Sequence, residues 1–194
     1  MKDFIFYFKI GWEHILSWDA ADHLYFITAL AIVYTFQDWK KVLLLVTAFT
    51  IGHAVTLYLS SLDYFRLDAA LVEFAIPCTI VLTAAFNLLY KPGKKSGNVL
   101  QYILALCFGL VHGMGYANYI RMMLASNQNL VWGLFSFNIG LEMGQIVVVF
   151  FVLAIQWAFT KSNIISSRLL VQLVSVFILV VSFLLAIERF SALL

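Results

Sequence analysis

An all-α integral membrane protein, a bundle of six transmembrane helices, is the fold class this sequence predicts, and composition, segment length and loop charge predict it together. Of 194 residues, 63% are hydrophobic and only 11% charged, too little polar surface to cover a soluble globule. Apolar segments of about 20 residues, the length that crosses hydrocarbon, recur along the chain. Basic residues gather in alternate connections, as the positive-inside rule requires. The lipid bilayer is therefore the expected partner. A net charge of +2, without a single basic patch, gives no sign of nucleic acid.

The N-terminus lacks the form of a cleaved signal. Lys2 precedes a short apolar run from Phe4 to Phe8, but Asp3 sits in the would-be basic region and Lys9 and Glu13 follow. Phe4, Phe8, Ile15 and Leu16 among these charges predict a short interfacial segment over 4–16. Spans are expected at 20–37, 41–60, 69–90, 98–118, 130–158 and 168–187. The fifth is too long for one straight crossing and is expected to extend beyond the bilayer or to begin as a re-entrant piece. Lys40 and Lys41, then Lys91, Lys94 and Lys95, then Lys161 and Arg168 mark three cytoplasmic connections, which places both termini outside. The other loops are less basic: Arg66 lies between Asp63 and Asp68, and Arg121 stands alone.

Ionisable residues inside these spans are the functional candidates, because hydrocarbon penalises them unless they are paired. His53 interrupts the apolar run Phe49 to Leu57. At 1.5 Å per residue it is expected roughly 10 Å below the outer boundary, Glu73 and His112 about 6 to 8 Å deep, and Glu142 roughly 18 Å deep. His23 falls at the outer mouth of the first span. Each alone is open to being a satisfied buried polar group; their shared place in the outer half argues for a site. The inner half offers only uncharged polar residues such as Thr28, Thr47, Asn87 and Gln101, so a through-path is not evident.

Local spacing supports such a site. Asn138, Glu142 and Gln145 form one stripe at i, i+4 and i+7. His53 and Thr56 share a face, and Gly52 beside them admits a close neighbour. Pro77, four residues after Glu73, removes the helical partner of the Glu73 carbonyl. Gly109 and Gly113 make a GxxxG contact face next to His112. Asp22 beside His23 is suited to orienting the imidazole, whereas Asp19 reads more simply as a helix N-cap. His14, with no helix to place it, has an ordinary surface reading. Cys78 and Cys107 have neither CxxC spacing nor the ligand face, and read as small residues between helices.

Gly11-Trp12-Glu13-His14-Ile15-Leu16, Asp22-His23-Leu24-Tyr25-Phe26, Phe49-Thr50-Ile51-Gly52-His53, Val72-Glu73, Phe108 to Gly115 and Phe137 to Gln145 together resemble the HupE/UreJ family of hydrogenase and urease accessory membrane proteins. The resemblance covers about residues 11–145 and leaves the sixth span without support. The interval of nine from His14 to His23, longer than the H-x5-DH spacing, implies a divergent branch. The family implies a multi-pass protein of the bacterial cytoplasmic (inner) membrane that handles nickel or a related divalent metal. By that resemblance His14, His23, His53, Glu73, His112 and Glu142 are metal ligands and Asp22 a supporting residue; Asn138, Gln145 and Thr56 are expected to support them by their spacing alone.

Imidazole and carboxylate donors without thiolate suit Ni or Zn, with Co or non-haem Fe also matching, and do not suit Mg or Ca. Three readings remain open: a divalent-metal permease or metal-binding accessory protein; an intramembrane zinc hydrolase near the outer leaflet, with Glu73 or Glu142 as general base; and a structural protein whose polar cluster locks its helices together.

Overall fold

The computed structural model describes residues 2–17, 20–64, 67–89, 99–123, 130–162 and 164–193. All regular structure among them is helical: α1 Lys2–Leu16, α2 Ala21–Ala31, a 3-10 turn Phe36–Asp38, α3 Trp39–Ser61, α4 Ala69–Leu88, α5 Val99–Met123, α6 Leu130–Lys161 and α7 Ser167–Ser191. Four described segments are long and apolar enough to cross a membrane: Phe36–Ser61, Ala69–Leu88, Leu130–Lys161 and Ser167–Ser191. The expected positions of Asp19, Arg66, Lys91, Lys94, Lys95 and Arg121 fall outside the residues, or the side chains, that are described.

The beginning of the chain departs from expectation. The segment 4–16, read as interfacial, is a helix seated lengthwise on α6, with Tyr7 and Ile15 almost wholly buried. The segment 20–37, read as one span, is α-helical only over Ala21–Ala31, which at 1.5 Å per residue is about 17 Å and covers half a bilayer. These two short helices run in the same direction. Ser136 Oγ donates to the Phe4 carbonyl, Gly144 lies against Ile15, and Phe36, past the end of α2, meets Phe150 edge-on further along α6. Half-length helices α1 and α2 thus lie successively along one uninterrupted helix, the 32-residue α6. Sequence reasoning missed this because the charges in α1 depress its hydropathy, while its glycine contact face leaves no mark on hydropathy at all.

Glycine sets the closest approaches. A Cβ on Gly11 would overlap the carbonyl of Phe137, and one on Gly140 the carbonyl of Phe8. The same arrangement recurs between α3 and α5, where Gly52 meets the Leu106 carbonyl and Gly109 the Phe49 carbonyl. In every case the oxygen belongs to the residue three before the partner helix's own glycine. Such small-residue contacts let parallel backbones touch where lipid offers no hydrophobic drive for association. Between the two pairs the direction reverses: His53 stacks on Phe137, while Thr47, earlier in α3, reaches Glu142, later in α6. The core is therefore two glycine-locked parallel pairs, α1/α6 and α3/α5, set antiparallel to each other.

Helices α4 and α7 flank this core and pack on one another. Asp68 caps α4 by accepting from Leu71 N at 3.1 Å, and Ser166 caps α7 from Leu169 N at 3.3 Å. Asn87 of α4 donates to the Ala29 carbonyl at 2.6 Å and ties α2 to this flank.

Candidate metal centre

Four histidines from four helices converge where α1 gives way to α2. His14 lies in the last turn of α1, His23 in the first turn of α2, His53 in mid α3 and His112 in α5. One ligand nitrogen from each of His14, His23 and His53 can be chosen so that all three lie within 4.8 Å of one another. His112 stands behind them, its ring centroid 5.0 Å from that of His23. His23, His53 and His112 are buried and His14 is half-buried.

Hydrogen bonding fixes which nitrogens are free. Asp22 Oδ1 accepts from the His23 backbone N–H at 2.8 Å and stands 3.0 Å from His23 Nδ1. A carboxylate there holds the proton on Nδ1 and leaves the lone pair on Nε2. His112 Nδ1 is 2.8 Å from the Phe108 carbonyl, which can only accept, so this ring too is protonated on Nδ1 and presents Nε2 as a lone pair. The nitrogens His14 Nε2, His23 Nε2, His112 Nε2 and both of His53 are buried without a hydrogen-bond partner. A buried polar atom left unpaired is costly, and several converging on one spot define a place for a ligand with vacant orbitals. That donor set fits a borderline transition metal.

The surroundings are aromatic. Phe49 and Phe137 flank His53, Phe26 faces His112 at 5.4 Å, and Tyr116 lies 4.1 Å from His14. This shell excludes water and lowers the local dielectric, which strengthens any charge interaction inside it.

The two glutamates are elsewhere. Glu73 is exposed at the start of α4, and only its backbone takes part: with Pro77 unable to donate, the Glu73 carbonyl accepts from Arg189 Nη1 at 2.9 Å. That guanidinium also lies 3.7 Å from Asp22 Oδ2. Glu142 is half-buried and accepts from Thr47 Oγ1 at 2.6 Å. Thr56 spends its hydroxyl on the backbone of Gly52 and His53, and Asn138, whose amide approaches His53, donates to the Leu134 carbonyl at 2.7 Å. Gln145 is fully buried and meets Thr50. Cys78 is half-buried and Cys107 exposed, each unpaired. Arg189 and Tyr116 escaped the sequence reading: Arg189 is 167 residues from Asp22 in the chain, and an aromatic in a membrane helix carries no signal of its own.

A family model described as HupE/UreJ protein matches residues 1–189, nearly the whole chain, including the seventh helix that the motifs had left without support. The chain belongs to the HupE/UreJ family. No curated protein and no solved structure matches it. As a HupE/UreJ protein it is a multi-helical membrane protein with a nickel-related accessory or transport role, and three of its four histidines, His14, His53 and His112, lie on helices that hold the glycine contacts.

Proposed function

We propose that this HupE/UreJ protein is a divalent-metal permease of the bacterial cytoplasmic membrane, with Ni2+ as the preferred cargo and Zn2+ or Co2+ as chemical competitors. The observation that carries this reading is the set of unpartnered imidazole nitrogens: those of His14, His23 and His53, from α1, α2 and α3, gather within 4.8 Å of one another, and His112 of α5 stands beside His23 with its own Nε2 unpaired. Placement supports transport over storage. The histidines lie between two parallel helix pairs that run opposite to each other, and at the break between half-helices α1 and α2, the arrangement in which inverted elements rock about a central site. The α1 C-terminus, where His14 sits, brings the negative end of a helix dipole toward a cation. His14, His23, His53 and His112 would be the ligands, with Asp22 orienting His23.

Among the alternatives, the hydrolase needs a carboxylate base against metal-bound water. Exposure of Glu73 and the Thr47 bond of Glu142 leave neither beside the histidines, which favours the permease. The structural reading would require polar atoms in the cluster that satisfy one another, and the free nitrogens do not.

Elemental analysis of purified protein tests metal binding directly. Wild type should retain stoichiometric Ni2+ or Zn2+, His53→Ala and His112→Ala should each lose it, and Cys107→Ala should keep it. Uptake of Ni2+ into proteoliposomes then separates transport from simple binding. Retention of neither metal by wild type at neutral pH would sink the histidine centre.

A further inference from the structure

A second group of polar side chains lies between α3 and α6, about 9 Å along α3 from the histidines and not part of them. Thr47 Oγ1 donates to Glu142 Oε1 at 2.6 Å, and Thr50 Oγ1, one turn from Thr47, is 2.8 Å from Oε1 of Gln145, one turn from Glu142. Thr50 is 6% exposed and Gln145 fully buried. Counting protons shows that this group is incomplete. Thr50 Oγ1 also lies 3.1 Å from the Val46 carbonyl, and a hydroxyl has only one proton to give. Meanwhile Gln145 Nε2 is buried with no partner. Turning the amide over by a half-turn resolves both conflicts: Nε2 donates to Thr50, and Thr50 donates to Val46. The amide oxygen is then the unpaired atom, held in the interior on the same helical stripe as the Glu142 carboxylate.

We infer that Thr47, Thr50, Glu142 and Gln145 form a second cation site, built of oxygen donors, between α3 and α6. The carboxylate supplies the charge that a dication needs in a low-dielectric interior, and the amide and hydroxyl oxygens supply neutral donors. Thr47 precedes His53 by six residues, so the site lies about 9 Å from the histidine centre along α3. It lies toward the end of α3 that carries Lys40 and Lys41, the side expected to be cytoplasmic. A cation leaving the imidazoles would there exchange borderline nitrogen donors for hard oxygen donors that hold a transition metal less tightly. This last step rests on the permease reading; the existence of the site does not.

Titration with Mn2+, a hard ion whose free form is read by electron paramagnetic resonance, tests the site in the full-length protein in detergent, beside Ni2+ binding as a separate measurement. Wild type and His53→Ala should bind Mn2+ alike, while Glu142→Gln should bind it at least 10-fold more weakly and still retain Ni2+. Thr47→Val, which removes one donor without touching the carboxylate, should weaken Mn2+ binding in the same direction and decides the matter if Glu142→Gln loses both ions through misfolding. Unchanged Mn2+ affinity in Thr47→Val, no Mn2+ binding by wild type, or its loss in His53→Ala would overturn the inference. Failure of the histidine centre would instead appear as absent Ni2+ with Mn2+ binding intact.

Discussion

Arg189 is the residue on which α7 acts upon the centre. Its guanidinium joins the Glu73 carbonyl freed by Pro77 to the carboxylate of Asp22, which in turn holds the His23 ring. Removing the charge should let Asp22 turn away and His23 adopt the other tautomer, whereas a lysine can still donate to one oxygen. Arg189→Gln should therefore lower Ni2+ affinity on the order of 10-fold, Asp22→Asn 10- to 100-fold, and Arg189→Lys should restore most of the loss, as expected for partners that orient a ligand. Equilibrium dialysis with Ni2+ measures all three; equal loss in the lysine and glutamine variants would mean that Arg189 matters through packing alone.

At the scale of elements, the reciprocal glycine contacts make a sharp distinction between glycines of similar appearance. A methyl group on Gly109 or Gly52 meets backbone of the partner helix, which cannot yield without separating α3 from α5. On Gly115 it meets only side chains, the nearest being Ile76 Cδ1 at 3.2 Å, which a rotamer change relieves. Gly109→Ala should cost about 1–3 kcal/mol of stability as an overpacked contact, and Gly115→Ala a few tenths at most. Thermal unfolding in detergent compares the two. Because Gly109 lies one turn before His112 and against Phe49, its substitution should also spoil metal retention, while Gly115→Ala leaves it intact.

For the whole molecule, the two parallel pairs, set antiparallel to each other, enclose a polar column that stops short. Beyond Thr47, Val42, Leu45 and Val46 of α3 and Val149, Val152 and Leu153 of α6 belong to one buried apolar cluster. This layer closes the lysine-bearing end, so on the proposed permease reading a cation leaves there only when the pairs move apart. Orientation is tested with single cysteines placed, in a cysteine-free background, at the exposed Tyr64 and Ser162. An impermeant reagent should label position 64 from outside and position 162 only after the membrane is opened; the reverse pattern would invert the topology. The loop positions Ser96 and Asn127 follow the same expectation, the first inside and the second outside, and lie outside the described residues.

The sequence by itself determined membrane class, the helices that are α3 to α7 to within a few residues, and the four histidines as the groups to explain. Each follows from local rules: hydrocarbon thickness sets helix length, and an ionisable group in an apolar run must find a purpose. Tertiary structure alone decided that α1 belongs to the core, that Glu73 faces away, and that Glu142 and Gln145 meet Thr47 and Thr50 rather than an imidazole. A depth along one helix gives no rotation about its axis, and rotation is set by which glycines let which backbones touch. Those contacts pair residues far apart in the chain, such as Gly11 with Phe137 or Gly52 with Leu106, and no periodicity within either segment encodes them.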